Sequence, residues 1–268
     1  MRIGVVELVA LDLDGTLLTS GKTITDRTKR VIHALINQQV KVLLATARPP
    51  RSVATTYKAL KLKTCVICYN GALIYDPPTR KILAHFPIHL PLARSVINFT
   101  RELNCEILIS VEVLDHWYTD RVNPAYQTET AKMFKPDKLA PIDTWLNCDV
   151  TKILLQGPDE CLMQIREKIF VDHPGQLAMA QSENNLLQIM AGSVSKGNAL
   201  RLVCEHYGIP LQKTIAVGDA PNDIDMLRNA GIGIAMADAP DRVKQAADYI
   251  TMRNDEDGVA DALEKFIL

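Results

Sequence analysis

Residues 8–11, Leu-Val-Ala-Leu, form a short apolar run that stops at once on Asp12-Leu13-Asp14-Gly15-Thr16. No other stretch restricts the fold as much. The run is short, partly β-branched and closed by a glycine turn, so it reads as a strand buried on both faces. Side chains alternate along a strand, which places Asp12 and Asp14 on one side and Leu13 on the other. Two carboxylates crowded at the end of a buried strand repel unless a cation or a shared proton relieves them. A solvated Asp-Gly turn gives the same letters, and only the rest of the chain distinguishes the two.

The next segments repeat the pattern. Thr25 is placed to cap a helix running to about residue 38, with Val31, Ile32, Leu35 and Ile36 as its apolar stripe. Residues 40–45 form a second buried strand that ends on Thr46-Ala47-Arg48, and Pro49-Pro50 then favours a new helix. Residues 65–68 form a third, followed by Asn70-Gly71, a hairpin signal, and a return strand at 73–75. Strand, helix and strand in alternation predict an α/β fold with a doubly wound, Rossmann-like parallel sheet. In such sheets ligands bind beyond the carboxyl ends of the strands.

The middle of the chain breaks this rhythm. Between about 81 and 190 the pattern mixes helices at 92–103 and 160–170 with strands at 107–109, 117–118, 153–155, 177–179 and 186–190. It reads as an inserted α+β domain with its own antiparallel sheet. The expected division is therefore 1–80 and 191–268 for the core and 81–190 for the insertion. Asp76-Pro77-Pro78 and Ala191-Gly192-Ser193 are the candidate hinges. The doubly wound pattern then resumes. Ser195-Lys196-Gly197 opens a helix that Gly208 stops, and the strand at 214–217 runs into Gly218-Asp219-Ala220-Pro221-Asn222-Asp223.

Composition narrows the function classes. Lys+Arg 30 against Asp+Glu 31 leaves a net charge of -1, which argues against general attraction to nucleic acid or an anionic membrane. No run approaches the roughly 18 apolar residues of a membrane span. The first apolar run is broken by Glu7 and Asp12 and lacks a small-residue cleavage site, so it is not a secretory signal. The six scattered cysteines are expected to be reduced thiols, and the expected location is cytoplasmic. Cys65 and Cys68 have C-x-x-C spacing, but three residues apart in a strand they face opposite sides, so core packing is the expectation.

Three strand ends thus carry polar groups: Asp12 and Asp14, Thr46, and Asp219 with Asp223, with Lys196 opening a helix beside them. Taken singly, Thr46 reads as an N-cap, Lys196 as a solvated lysine and Asp223 as the cap of a Pro-Asn turn. Together they fall on one edge of one sheet. Carboxylates without nearby thiol or imidazole favour a hard cation, Mg²⁺ first. A carboxylate there can attack a phosphate as a covalent nucleophile, while a second moves the proton of the leaving group and then of water. A lysine and a threonine hydroxyl can bind the charge of the transferring phosphoryl group.

The segments LDLDGTLL, LLATARP, VSKGNAL and VGDAPNDIDML resemble, in order, the four motifs of the haloacid-dehalogenase-like (HAD) phosphohydrolases. YNGALIYD, LLQIMAGSVSKGNAL and AGIGIAMADAPDRVKQAADYIT are similar to the Cof-type branch, whose inserted α/β cap the middle region matches in size and position. The resemblance implies Asp12 as nucleophile and Asp14 as general acid and base. It implies Mg²⁺ held by the Asp12 side chain, the Asp14 backbone carbonyl and Asp219, with Asp223 supporting through water. Thr46, Lys196 and Asn222 would hold the phosphate, and Arg48 and Asn70 would approach the substrate. Two positions depart from the family pattern: Ala47 replaces the usual glycine, and Ala237-Asp238 stands where Gly-Asn is common.

The implied activity is a Mg²⁺-dependent phosphatase for small phosphorylated metabolites such as sugar phosphates, pyridoxal phosphate or FMN. The alternatives are a sugar phosphomutase, a metabolite-binding regulator and a signalling receiver domain. Receivers lack D-x-D-G-T and are about half as long. Specificity would lie mostly in 81–190, where His85, His89, His116, Trp117, Tyr118 and Arg121 are candidates whose plainer reading is packing or exposure.

Overall fold

The computed structural model describes residues 5–103, 105–126, 128–183 and 185–268. In chain order it contains β1 (Leu8–Leu11), α1 (Asp26–Asn37), β2 (Lys41–Ala45), α2 (Pro50–Ala59), β3 (Val66–Cys68), β4 (Leu73–Asp76) and β5 (Lys81–His85). There follow α3 (Leu90–Glu102), β6 (Leu108–Val113), β7 (His116–Thr119), α4 (Glu129–Met133), β8 (Lys138–Leu139), β9 (Lys152–Gln156), α5 (Asp159–Asp172), β10 (Leu177–Glu183) and β11 (Leu186–Ala191). The last part holds α6 (Lys196–Tyr207), β12 (Thr214–Gly218), α7 (Ile224–Asn229), β13 (Ile232–Ala235), α8 (Asp241–Lys244), β14 (Tyr249–Ile250) and α9 (Gly258–Phe266). No helix among the described residues is long and apolar enough to cross a membrane.

These elements form two compact units. The first gathers the segments through Ala47, Val53–Leu83 and Ser195–Leu268. Its sheet has eight strands in the order β14-β13-β12-β1-β2-β3-β4-β5. From β14 to β3 every neighbouring pair is parallel. β3 and β4 are antiparallel and form the hairpin that Asn70-Gly71 predicts, turning through Tyr69 and Asn70 at positive φ. β1 is buried along its whole length, as an apolar run in a central parallel strand must be. Thr25 caps α1 by accepting from the Thr28 N–H, and Val31, Ile32 and Leu35 are the buried stripe. Around the sheet α1 packs with α9, and α6 packs with α7.

Register fixes where the site falls. Leu11 lies level with Val217 on one side and with Leu44 on the other, and Ala45 lies level with Ile67. The residues that follow these strands, Asp12, Thr46 and Asp219, therefore emerge together at one edge. The chain steps from β1 outward to β2 and later returns to the other flank of β1 as β12, so this edge is a topological switch point.

The second unit comprises Arg48–Ser52 and Ala84–Val194. Its six-stranded sheet has the order β10-β11-β9-β6-β7-β8. Alternate residues Ile109 and Val111, Ile153 and Leu155, and Leu187 and Ile189 form one core with Val96 and Ile97 of α3 and Leu162, Ile165 and Ile169 of α5. The sheet is antiparallel except at its rim, where β7 and β8 run parallel. One expectation is corrected here. Cys105 and Cys161 are joined in a disulfide across 56 residues, so not all six cysteines are thiols. Cys105 precedes β6 and Cys161 lies in the first turn of α5, and both pack against that same core. Among the described residues, Cys65, Cys68, Cys148 and Cys204 are in no disulfide. Burial pushes the Cys65 thiol up to about 11, which suits packing rather than redox or metal chemistry.

Candidate active site

The site is built in the first unit from the ends of β1, β2, β3 and β12 and from the start of α6. Asp12 is buried, and its backbone N–H still donates to the Val217 carbonyl, which holds it against β12. Ser195 caps α6 through the Asn198 N–H, so Lys196 becomes the first helical residue. Lys196 is 1 % exposed. Its ammonium donates to Asp12 Oδ1 at 2.5 Å and to Asp223 Oδ1 at 2.6 Å. It is therefore not the solvated lysine that the residue type alone suggests. Two of its three N–H bonds are used, leaving one for a further acceptor.

Asp223 both shapes and charges the site. Its Oδ2 accepts the backbone N–H groups of Asp219 at 3.1 Å and Ala220 at 2.9 Å. The turn-capping reading of this residue holds, and the same carboxylate also accepts the Lys196 ammonium. Asp219 accepts the Thr16 hydroxyl at 2.8 Å. Gly15 lies at φ +82°, and a Cβ there would come within 2.3 Å of Asp219 Oδ2, so the turn needs glycine for conformation and for space.

Among the described residues, Asp12, Asp219 and Asp223 are the group placed to share an ion, their ligand oxygens within 4.8 Å of one another. One ammonium stands against three carboxylates. Burial pushes the Asp12 carboxyl well above its usual range, with Lys196 opposing and Asp223 and Asp219 adding to the rise. Burial likewise pushes Asp219 up to about 6, opposed by the Thr16 hydroxyl and Lys196 and reinforced by Asp223 and Asp238. For Lys196 burial works against the charge, but Asp12 and Asp223 outweigh it and raise the ammonium above its ordinary value. Excess negative charge, oxygen donors alone and a buried setting fit a hard divalent cation such as Mg²⁺.

Asp14 departs from the strand-alternation expectation. The chain leaves β1 at Leu11 and turns through Gly15, so Asp14 does not continue the pleat. Its carboxylate is half-exposed and accepts the Lys22 ammonium at 2.7 Å, apart from the three-carboxylate cluster. Thr46 is buried, donates its N–H to the Ile67 carbonyl and accepts the Asn70 N–H on its own carbonyl. With α2 starting four residues later at Pro50, Thr46 is not its N-cap. Asn70, at φ 57°, accepts Asn222 Nδ2 on its Oδ1 at 2.8 Å, and its buried Nδ2 has no partner among the described residues. Arg48 groups with the second unit.

The candidates of the second unit have local partners. His85 bonds the Thr151 hydroxyl, His89 and His116 face Asp149 and Asp137, and Arg121 donates to the Ile107 carbonyl. Tyr118 lies against Trp145, and Trp117 is buried with its indole N–H unpaired among the described residues. Sequence reasoning missed Thr16 as a partner of Asp219 and Lys22 as a partner of Asp14. The first was visible only as a letter in D-x-D-G-T.

Residues 9–263 match the family model for haloacid dehalogenase-like hydrolases. The chain is 30% identical over 270 residues to the 5-amino-6-(5-phospho-D-ribitylamino)uracil phosphatase YitU of Bacillus subtilis, covering 97% of each. It is 28% identical over 263 residues to YcsE of the same organism, which has the same activity name, covering 98% of this chain and 96% of that protein. A crystal structure of a haloacid dehalogenase-like hydrolase from Bacteroides thetaiotaomicron superposes with a TM-score of 0.86 at 26% identity, covering 98% of this chain and 100% of that one.

Proposed function

The chain belongs to the haloacid dehalogenase-like hydrolase family and is a phosphoric monoester hydrolase, and from that premise we propose a Mg²⁺-dependent phosphatase that works through an aspartyl-phosphate on Asp12. The observation that carries this reading is the meeting of Asp12, Asp219 and Lys196 at one sheet edge. Asp12 is the nucleophile. Its Oδ1 is already engaged by Lys196, which opposes the rise that burial imposes on the carboxyl and holds it in place. Attack forms the Asp12 O–P bond as the bond to the leaving oxygen breaks, and Asp14 delivers the proton to that oxygen. Asp14 then takes a proton from water as water displaces the aspartyl oxygen. Asp12 and Asp219, supported by Asp223 and joined by the Asp14 carbonyl, would hold Mg²⁺, which supplies neutralisation of the carboxylates and of the phosphoryl charge. Lys196, Asn222 and Thr46 bind the phosphoryl oxygens, and the unpaired Asn70 Nδ2 offers one more donor.

The substrate class proposed is a phosphate ester of a primary alcohol on a sugar or polyol chain. The named substrate of two relatives carries its phosphate on a ribityl chain, and FMN does the same. The test is phosphate release from p-nitrophenyl phosphate and from a panel with sugar phosphates, pyridoxal phosphate, FMN and the ribitylaminouracil phosphate. Turnover should need Mg²⁺, stop with EDTA and vanish in Asp12→Asn, and labelled phosphate should be trapped on Asp12. Turnover that survives EDTA or Asp12→Asn would falsify the mechanism, and an isomeric sugar phosphate in place of free phosphate would identify a mutase.

A further inference from the structure

We infer that Lys22 is a positioning residue for Asp14, an inference that rests on the reading of Asp14 as the acid for the leaving oxygen. Lys22 lies eight residues beyond Asp14, and a tight turn brings the two together. Thr19 N–H donates to the Thr23 carbonyl and Lys22 N–H to the Thr19 carbonyl, both at 2.8 Å. Lys22 closes this turn at φ 56°, a left-handed conformation uncommon for a lysine. From there its ammonium returns to Asp14 Oδ1 at 2.7 Å.

The loop that carries Lys22 is tied down on its far side as well. Ser20 N–H donates to Asp255 Oδ1, and Asn254 Nδ2 donates to the Leu18 carbonyl, each at 2.8 Å. Asp14 and Leu18 form an isolated parallel bridge. The root of the Lys22 side chain is thus fixed with respect to the backbone of Asp14. The pair is exposed, 44% and 39% at its side chains, and a pair of that kind contributes little to folding. Its effect falls on where the Asp14 carboxyl points. Among the described residues, Lys22 is bonded to no other group of the site, whereas Asp12 and Asp223 share Lys196. The first unit therefore holds its nucleophile and its acid with separate ammonium groups. That separation lets Asp14 be oriented toward the leaving oxygen without moving Asp12. In the step itself the Asp14 proton passes to the leaving oxygen while the Asp12 O–P bond forms and the ester P–O bond breaks.

A pair of aryl esters tests this. The leaving oxygen of p-nitrophenyl phosphate departs without needing a proton, whereas that of phenyl phosphate is more basic and needs one. Lys22→Met should lower kcat/KM for phenyl phosphate about tenfold, a fraction of the ~10²–10⁴-fold that general acid catalysis supplies, and that for p-nitrophenyl phosphate less than about twofold. Lys22→Arg should restore most of the phenyl phosphate rate. In an Asp14→Asn background Lys22→Met should add nothing. Equal losses on both esters, a gain, or a loss that persists in the Asp14→Asn background would overturn the proposal. Asp14→Asn alone keeps the two failures apart. If it slows both esters alike, the acid role falls and the positioning role with it. If it slows phenyl phosphate selectively while Lys22→Met leaves the ratio of the two esters unchanged, only the Lys22 assignment is lost.

Discussion

Asp219 is the residue at which charge and pH bear on the proposed metal site. Burial first, then Asp223 and Asp238, raise its carboxyl to about 6 against the Thr16 hydroxyl and Lys196. The raised value means that protons compete for this group just below neutrality, and a metal binds only the ionised form. The sign follows directly: lowering pH through about 6 loads Asp219 with a proton and weakens Mg²⁺, and raising pH above 7 leaves nothing more to gain from this group. The contribution of Asp219 to the half-activating Mg²⁺ concentration should therefore be flat above pH 7 and raise that concentration by up to about tenfold per pH unit below 6. Titrating Mg²⁺ at fixed substrate from pH 5 to 8 checks this, and a constant half-activating concentration across that range refutes it. Asp238→Asn should move the break to lower pH, since Asp238 adds to the rise. The residues of this cluster were legible from local signals: Asp12 and Asp219 follow the apolar runs of β1 and β12, and Lys196 follows a serine cap. Their partners were not. Thr16 and Asp219 are 203 residues apart, and Lys22 meets Asp14 only through a turn with one residue at positive φ. Asp14 lies beyond the end of β1, where strand alternation no longer fixes its direction.

At the level of elements, the site depends on how α6 begins. Ser195 accepts the Asn198 N–H, and Gly208 closes the helix at φ 67°. Removing the cap in Ser195→Ala should cost about 1 kcal/mol of stability, seen as a lower melting temperature. The same loss should occur in Thr25→Ala, which uncaps α1. The two should differ in turnover. Fraying at α6 frees Lys196, its first residue, from Asp12 and Asp223, so Ser195→Ala should lower kcat/KM, whereas α1 carries no group of the site. Equal turnover in the two variants would show that the first turn of α6 is held by Lys196 itself rather than by its cap. Elements of this kind were well marked in the sequence, because caps, proline starts and glycine stops are local signals. The β3–β4 hairpin was marked likewise by Asn70-Gly71. Pairings between distant segments carry no such mark, which is why the parallel β7–β8 contact and the Cys105–Cys161 bond emerge only from the structure.

Over the whole molecule, the two units are stabilised by different means, and this should be visible in unfolding. The first contains all three carboxylates of the cluster, the second the disulfide. Each has its own buried core, so a single two-state transition is not expected. A ligand that binds only the folded state stabilises it by mass action, about 2.7 kcal/mol at a hundred times its dissociation constant. Mg²⁺ should therefore raise the transition of the first unit alone. A cross-link acts on the unfolded chain. For a loop of this length, with its ends 56 residues apart, the chain-entropy model gives roughly 4 kcal/mol. Reductant should lower the transition of the second unit by a corresponding amount. Calorimetry with Mg²⁺ or EDTA, each with and without dithiothreitol, separates the two effects, and Cys105→Ser with Cys161→Ser should abolish the response to reductant while leaving that to Mg²⁺. One transition that moves with both agents would mean instead that the units unfold as one body. In that case Mg²⁺ bound by three carboxylates in one unit would also be stabilising the other.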